Sequence, residues 1–124
     1  MNNSHLFAIT ALTLVLLGCG KPPKDAAQLS AGGYSELGRR EMQYYGCASC
    51  HVIPGVPGAQ GLIGPSLEHF ANRNFIGGVL KNCPDNLVQW IEDSPAIDSR
   101  TAMPDLQIPE DQALNIACYL STLQ

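Results

Sequence analysis

The chain has 124 residues, 45% of them hydrophobic, and a formal net charge of −4. That length suits one domain rather than two. The acidic balance, with no basic run, excludes a nucleic-acid-binding role, and a chain this short builds only a modest core unaided.

Leu6 to Leu17 is an apolar run broken only by two threonines and carrying no charge. It is short for a bilayer span and fits the h-region of an export signal. It ends in Leu16-Leu17-Gly18-Cys19, which resembles a bacterial lipobox, with Cys19 as the lipidated first residue of the mature chain. One departure is that the segment before the run, Met1 to His5, has no Lys or Arg. The expectation is a signal peptide over 1–18 and a domain exported to the periplasmic or other extracytoplasmic side. A lipid anchor would tie it to a membrane without spanning it. Residues 19–33, with Pro22-Pro23 and Gly32-Gly33, read as a flexible linker. The domain is expected over 34–124.

Tyr34, Leu37, Met42 and Tyr45 recur at helical spacing with charges between them, so a first helix is expected there. Gly38 lies on its apolar side, where a glycine lowers helix propensity and suits close approach of another helix. This helix leads into Cys47-Ala48-Ser49-Cys50-His51. The spacing C-x-x-C-H reads as a c-type haem attachment site. Two thiols three positions apart can each bond one vinyl group of a haem, and the adjacent histidine can bind its iron. A redox dithiol would sit near a βαβ pattern, which is not visible. A zinc site would need a second close pair of ligands, and the other cysteines are scattered.

Ile53 to Gly64 is loop, since six of its twelve residues are Gly or Pro. Pro65 to Asn72 leaves room for a short helix, and Phe75 to Asn82 carries no clear signal. Pro84 suits the first position of a second helix, with Asp85 complementing its dipole and Leu87, Val88, Trp90 and Ile91 as its apolar stripe. Pro95 is expected to stop it. Pro109, Glu110 and Asp111 open a last helix, whose apolar face is Ala113, Ile116, Ala117, Leu120 and Leu123. No strand pattern is convincing. The expected fold is all-α.

Met103, in a loop 52 residues after His51 and followed by Pro104, is placed to supply a second iron ligand. Thioether ligation raises the reduction potential. His69 is the rival for that position, or else a surface or propionate-side histidine.

The order Cys47-x-x-Cys50-His51, Gly64-Pro65, Arg73, Trp90, Met103-Pro104, Tyr119 resembles class I c-type cytochromes. The stretch from Gly64 to Pro104 is similar to the cytochrome c domain fused to subunit II of some bacterial haem–copper oxidases. The resemblance implies a cytochrome c fold of three to five helices around one covalent haem c. It implies that the Pro65 carbonyl holds His51, that Arg73 and Trp90 donate to a propionate, and that Gly38 meets Tyr119. Family members often carry an aromatic where Met42 stands. Cys83 and Cys118 depart from the family; a disulfide between them and two free thiols are both open.

The function implied is that of an electron carrier rather than an enzyme. It would exchange electrons with redox proteins: a quinol-oxidising complex or a dehydrogenase as donor, a terminal oxidase as acceptor. A fixed cytochrome subunit of a larger dehydrogenase or reductase is the alternative, with a haem enzyme or gas sensor behind it.

Overall fold

The computed structural model describes residues 32–124, so the signal, the lipobox and Cys19 lie outside the described residues. Three helices carry the structure: α1 (Gly32–Tyr44), α2 (Pro84–Ile97) and α3 (Glu110–Thr122). Single 3-10 turns stand at Cys47–Ser49 and Phe70–Asn72. A hairpin pairs β1 (Phe75–Ile76) with β2 (Leu80–Lys81), antiparallel, with Phe75 opposite Lys81 and Ile76 opposite Leu80. The domain is thus mostly helical, and the hairpin corrects the strand-free expectation.

The first helix starts two residues inside the expected linker, at Gly32. Its buried stripe differs from the one expected. Tyr34 and Leu37 are 49% and 45% exposed, whereas Gly38 and Met42 are buried and Tyr45 is partly covered. Gly38 explains the offset. A Cβ there would collide with the Asn115 carbonyl and the Ile116 nitrogen, so α1 crosses α3 backbone to backbone at this point. The nearest approach at Gly38 is thus to Asn115 and Ile116, about a turn before Tyr119. Asn115 donates to Glu41 Oε1 at 3.1 Å, and the Tyr45 hydroxyl donates to Gln112 at 2.6 Å, so polar pairs brace the two helices on the Tyr45 side of the crossing. Tyr119 instead donates its hydroxyl to the Pro54 carbonyl. Arg39 reaches the next carbonyl, Gly55, at 3.3 Å. Two helices thereby hold the tip of the glycine-rich loop, whose Ile53, Val56 and Ala59 are buried.

The expected short helix of 65–72 is one 3-10 turn. After it, Gly77 and Gly78 both adopt positive φ, and Val79 N–H donates to the Ile76 carbonyl. Two consecutive positive φ values favour a tight hairpin turn and suit glycine. A two-residue strand is too short to show alternation in the sequence.

Pro84 is the first residue of α2, and Cys83 at its N-cap makes no side-chain cap bond. Leu87, Val88, Trp90 and Ile91 are buried as expected. The helix breaks at Asp93 (φ −153°, ψ 77°), two residues before the proline expected to stop it, and then makes one more turn. Pro95 has no N–H, and its ring in a continuous helix would clash with the carbonyl four residues back, at Ile91. Asp93 Oδ1 accepts from Ala96 N–H at 3.0 Å and caps the new turn. On α3, Ala113, Ile116, Ala117 and Leu120 face the core together with Cys118 and Tyr119. No helix among the described residues is long and apolar enough to cross a membrane.

Candidate functional site

The three helices, the hairpin and the 101–108 segment enclose one cavity of about 320 Å³, lined mostly by apolar side chains. Its size is that of a small cofactor site. Cys47, Cys50, His51 and Met103 all line it, as do Pro65, Arg73 and Trp90. These seven are the residues singled out in the sequence for a haem, drawn from four separate stretches of chain.

The His51 side is held rigidly. A 3-10 turn carries Cys47 and Cys50 to the cavity, and the N–H groups of Cys50 and His51 both donate to the Cys47 carbonyl. Gly64 N–H donates back to the Cys50 carbonyl at 2.8 Å. His51 Nδ1 lies 2.7 Å from the Pro65 carbonyl oxygen. A carbonyl only accepts, so Nδ1 carries the proton and Nε2 keeps its lone pair for a metal. Gly64 lies against the imidazole itself: a Cβ there would stand 2.6 Å from Nδ1 and 2.9 Å from Nε2. Any side chain at 64 would push the ring out of place.

Burial pushes the Cys47 thiol up to about 11. A neutral, partly buried thiol is a poor zinc ligand and a slow redox nucleophile. Among the described residues no group of three or more His, Cys, Asp and Glu side chains comes together to hold a metal ion. The donor set instead fits a haem that takes two thioethers, one imidazole and one thioether sulfur.

Met103 reaches the cavity from the 101–108 segment, partly buried against the core. Met42 is buried, at 2% exposure, and also lines the cavity from α1. His69, the rival ligand, is exposed, adopts φ 54° and does not line the cavity. Trp90 lies along the cavity, its ring covered by Gly77 of the hairpin turn. Arg73 donates through Nη2 to the Ser66 carbonyl and, at 3.3 Å, to that of Glu68. Its guanidinium stands 5.5 Å from the centre of the Phe70 ring. Arg73 thus braces the segment that follows Pro65 while still lining the cavity.

The Cys83–Cys118 bridge considered from the sequence is not made. Cys118 is a free, buried thiol, and Cys83 is engaged elsewhere. Beside Cys83, α3 presents Ser121, three residues past Cys118.

Ser94 is the residue the sequence did not flag. It is the buried polar side chain of the described core, and its hydroxyl donates to the Met103 carbonyl at 3.3 Å. A serine beside a proline near a helix end reads as a stop signal, and nothing in its spacing points to position 103.

No family model and no solved structure matches the chain. Cytochrome c oxidase subunit 2 of Alkalihalophilus pseudofirmus is 30% identical over 88 residues. The match covers 70% of this chain but 25% of that protein, so the chain spans about a quarter of its relative's length. The similarity is distant, and it is to the subunit that the order of motifs resembles.

Proposed function

We propose that this chain is a mono-haem c-type cytochrome that carries single electrons between respiratory partners, tethered to a membrane through Cys19. One observation carries the reading: both thiols of the C-x-x-C-H motif, its histidine and Met103 line the same apolar cavity. The partial similarity to an oxidase subunit suggests a role in respiratory electron transfer.

Cys47 and Cys50 would hold the haem through thioethers, and His51 and Met103 would bind its iron. Bound there, the haem supplies one-electron chemistry between Fe(III) and Fe(II). The chain's own part is to fix the ligands and keep water out. Pro65 sets the His51 tautomer and Gly64 sets its ring plane, so His51 need not turn between the two states. The apolar lining favours a dry site and a less charged centre. Arg73 and Trp90 are the donors expected for a propionate.

Ile63 and Phe75 line the cavity and yet are 76% and 60% exposed, so each stands where the cavity lining meets the surface. An exposed apolar pair at such an edge suits brief encounters with a redox partner. A terminal oxidase is the acceptor we propose, with a quinol-oxidising complex or a dehydrogenase as donor.

The test is the optical spectrum of the exported protein, oxidised and reduced. A low-spin spectrum with the far-red band of thioether-bound ferric iron is expected, as is oxidation of the reduced protein by membranes holding the oxidase. A high-spin ferric spectrum would contradict the carrier reading.

A further inference from the structure

We infer that Ser94 is a positioning residue for Met103, setting how firmly the methionine keeps its place in the cavity. The inference rests on the reading that Met103 binds iron. Ser94 is 1% exposed, and its hydroxyl donates to the Met103 carbonyl at 3.3 Å. On the other side of the same residue, Met103 N–H donates to the Thr101 hydroxyl at 3.2 Å. Among the described residues, positions 102–108 make no backbone–backbone hydrogen bond. Two side-chain hydroxyls therefore do for Met103 what a backbone ladder does elsewhere.

The two hydroxyls are not equivalent. Thr101 is two residues away in the same loop, and its own N–H donates to the Asp98 carbonyl at the end of α2 at 3.0 Å. Ser94 belongs to the break in α2 and ties the loop to the core. Its own carbonyl accepts from Asp98 N–H at 2.9 Å, Asp93 caps the turn it stands in, and Pro95 restricts the backbone next to it. A buried hydroxyl without a partner is costly, so its bond to Met103 is hard to give up.

The experiment is a competition on the intact haem-loaded protein, with imidazole displacing Met103 from ferric iron and the far-red band as readout. Losing one such bond from the methionine-bound state should tighten the apparent imidazole affinity of Ser94→Ala by about three- to tenfold. Val88→Ala, buried on the same helix but not lining the cavity, is the control. It should melt earlier than wild type and bind imidazole as wild type does. If Ser94→Ala fails to accumulate, Ser94→Cys, which leaves only a weak donor, carries the same test. Unchanged affinity in the Ser94 variant, or an equal shift in Val88→Ala, would overturn the inference. Wild type is measured first. Absence of its far-red band would defeat the reading of Met103 as ligand, before any variant is compared.

Discussion

The two sides of the cavity are built on different principles. On the His51 side, backbone holds backbone: the Cys47 carbonyl takes two N–H groups, Gly64 bonds back to Cys50, and Leu67 N–H reaches the Val52 carbonyl. The imidazole is pinned between a carbonyl and a glycine. On the Met103 side, Met103 is held by two side-chain hydroxyls within a segment poor in backbone bonds. Backbone bonds add up and are replaced only by local unfolding, whereas a single hydroxyl is worth about 1 kcal/mol. The lesson is one of unequal grip: one proposed ligand is fixed by backbone bonds, the other by two side-chain hydroxyls.

Substitutions should expose that inequality. The largest effect is expected at Gly64. A valine there would drive its side chain into the His51 ring, and overpacking at such a site costs about 1–3 kcal/mol even where the surroundings give way. Gly64→Val should therefore yield little or no haem-loaded protein, measured as pigment per unit of exported polypeptide. Near-normal loading would show that the His51 side is looser than described. Met103→Ala is expected to do less. It should keep the covalent pigment, lose the far-red band and lower the reduction potential, since thioether ligation raises it. A variant that lost the pigment as well would remove the contrast between the sides.

The smallest effect lies away from the cavity, on α1. Arg39, and then Arg40, hydrogen-bond Glu36 and hold its carboxyl at about 2, against an ordinary value of 4.5. Because the folded value is the lower one, the pairing adds stability above pH about 4.5, and that contribution fades as pH falls towards about 2. The side chains are partly to well exposed, so salt should screen part of the effect. Glu36→Gln should melt slightly earlier than wild type at neutral pH and low salt. The difference should vanish near pH 2 and shrink in high salt. A difference that persists near pH 2 would mean Glu36 acts by something other than its charge.

The same division runs between what could be read in the sequence and what could not. That the attachment motif, Gly64-Pro65 and Met103-Pro104 would come to one cavity was legible because the role proposed for each asks for a fixed residue type at a fixed spacing. Gly38 was legible as a point of close approach, but its partner was not. A glycine marks where a backbone must come near without saying which turn of the other helix arrives. The α1 stripe was misread at Tyr34 and Leu37 for the same reason, since the crossing at Gly38 and Met42 decides which face is inside. Ser94 was out of reach because its role comes from a helix break at Asp93 that turns it towards a loop nine residues on. The sequence left a Cys83–Cys118 bridge open because cysteine content says nothing about the register of a helix against its neighbour.

The most direct measurement is mass analysis of the protein taken from its native membranes, with free thiols alkylated beforehand. The account expects the segment around Cys47 and Cys50 to carry one haem and no alkyl group. Finding both of those cysteines alkylated, with no added tetrapyrrole, would contradict it.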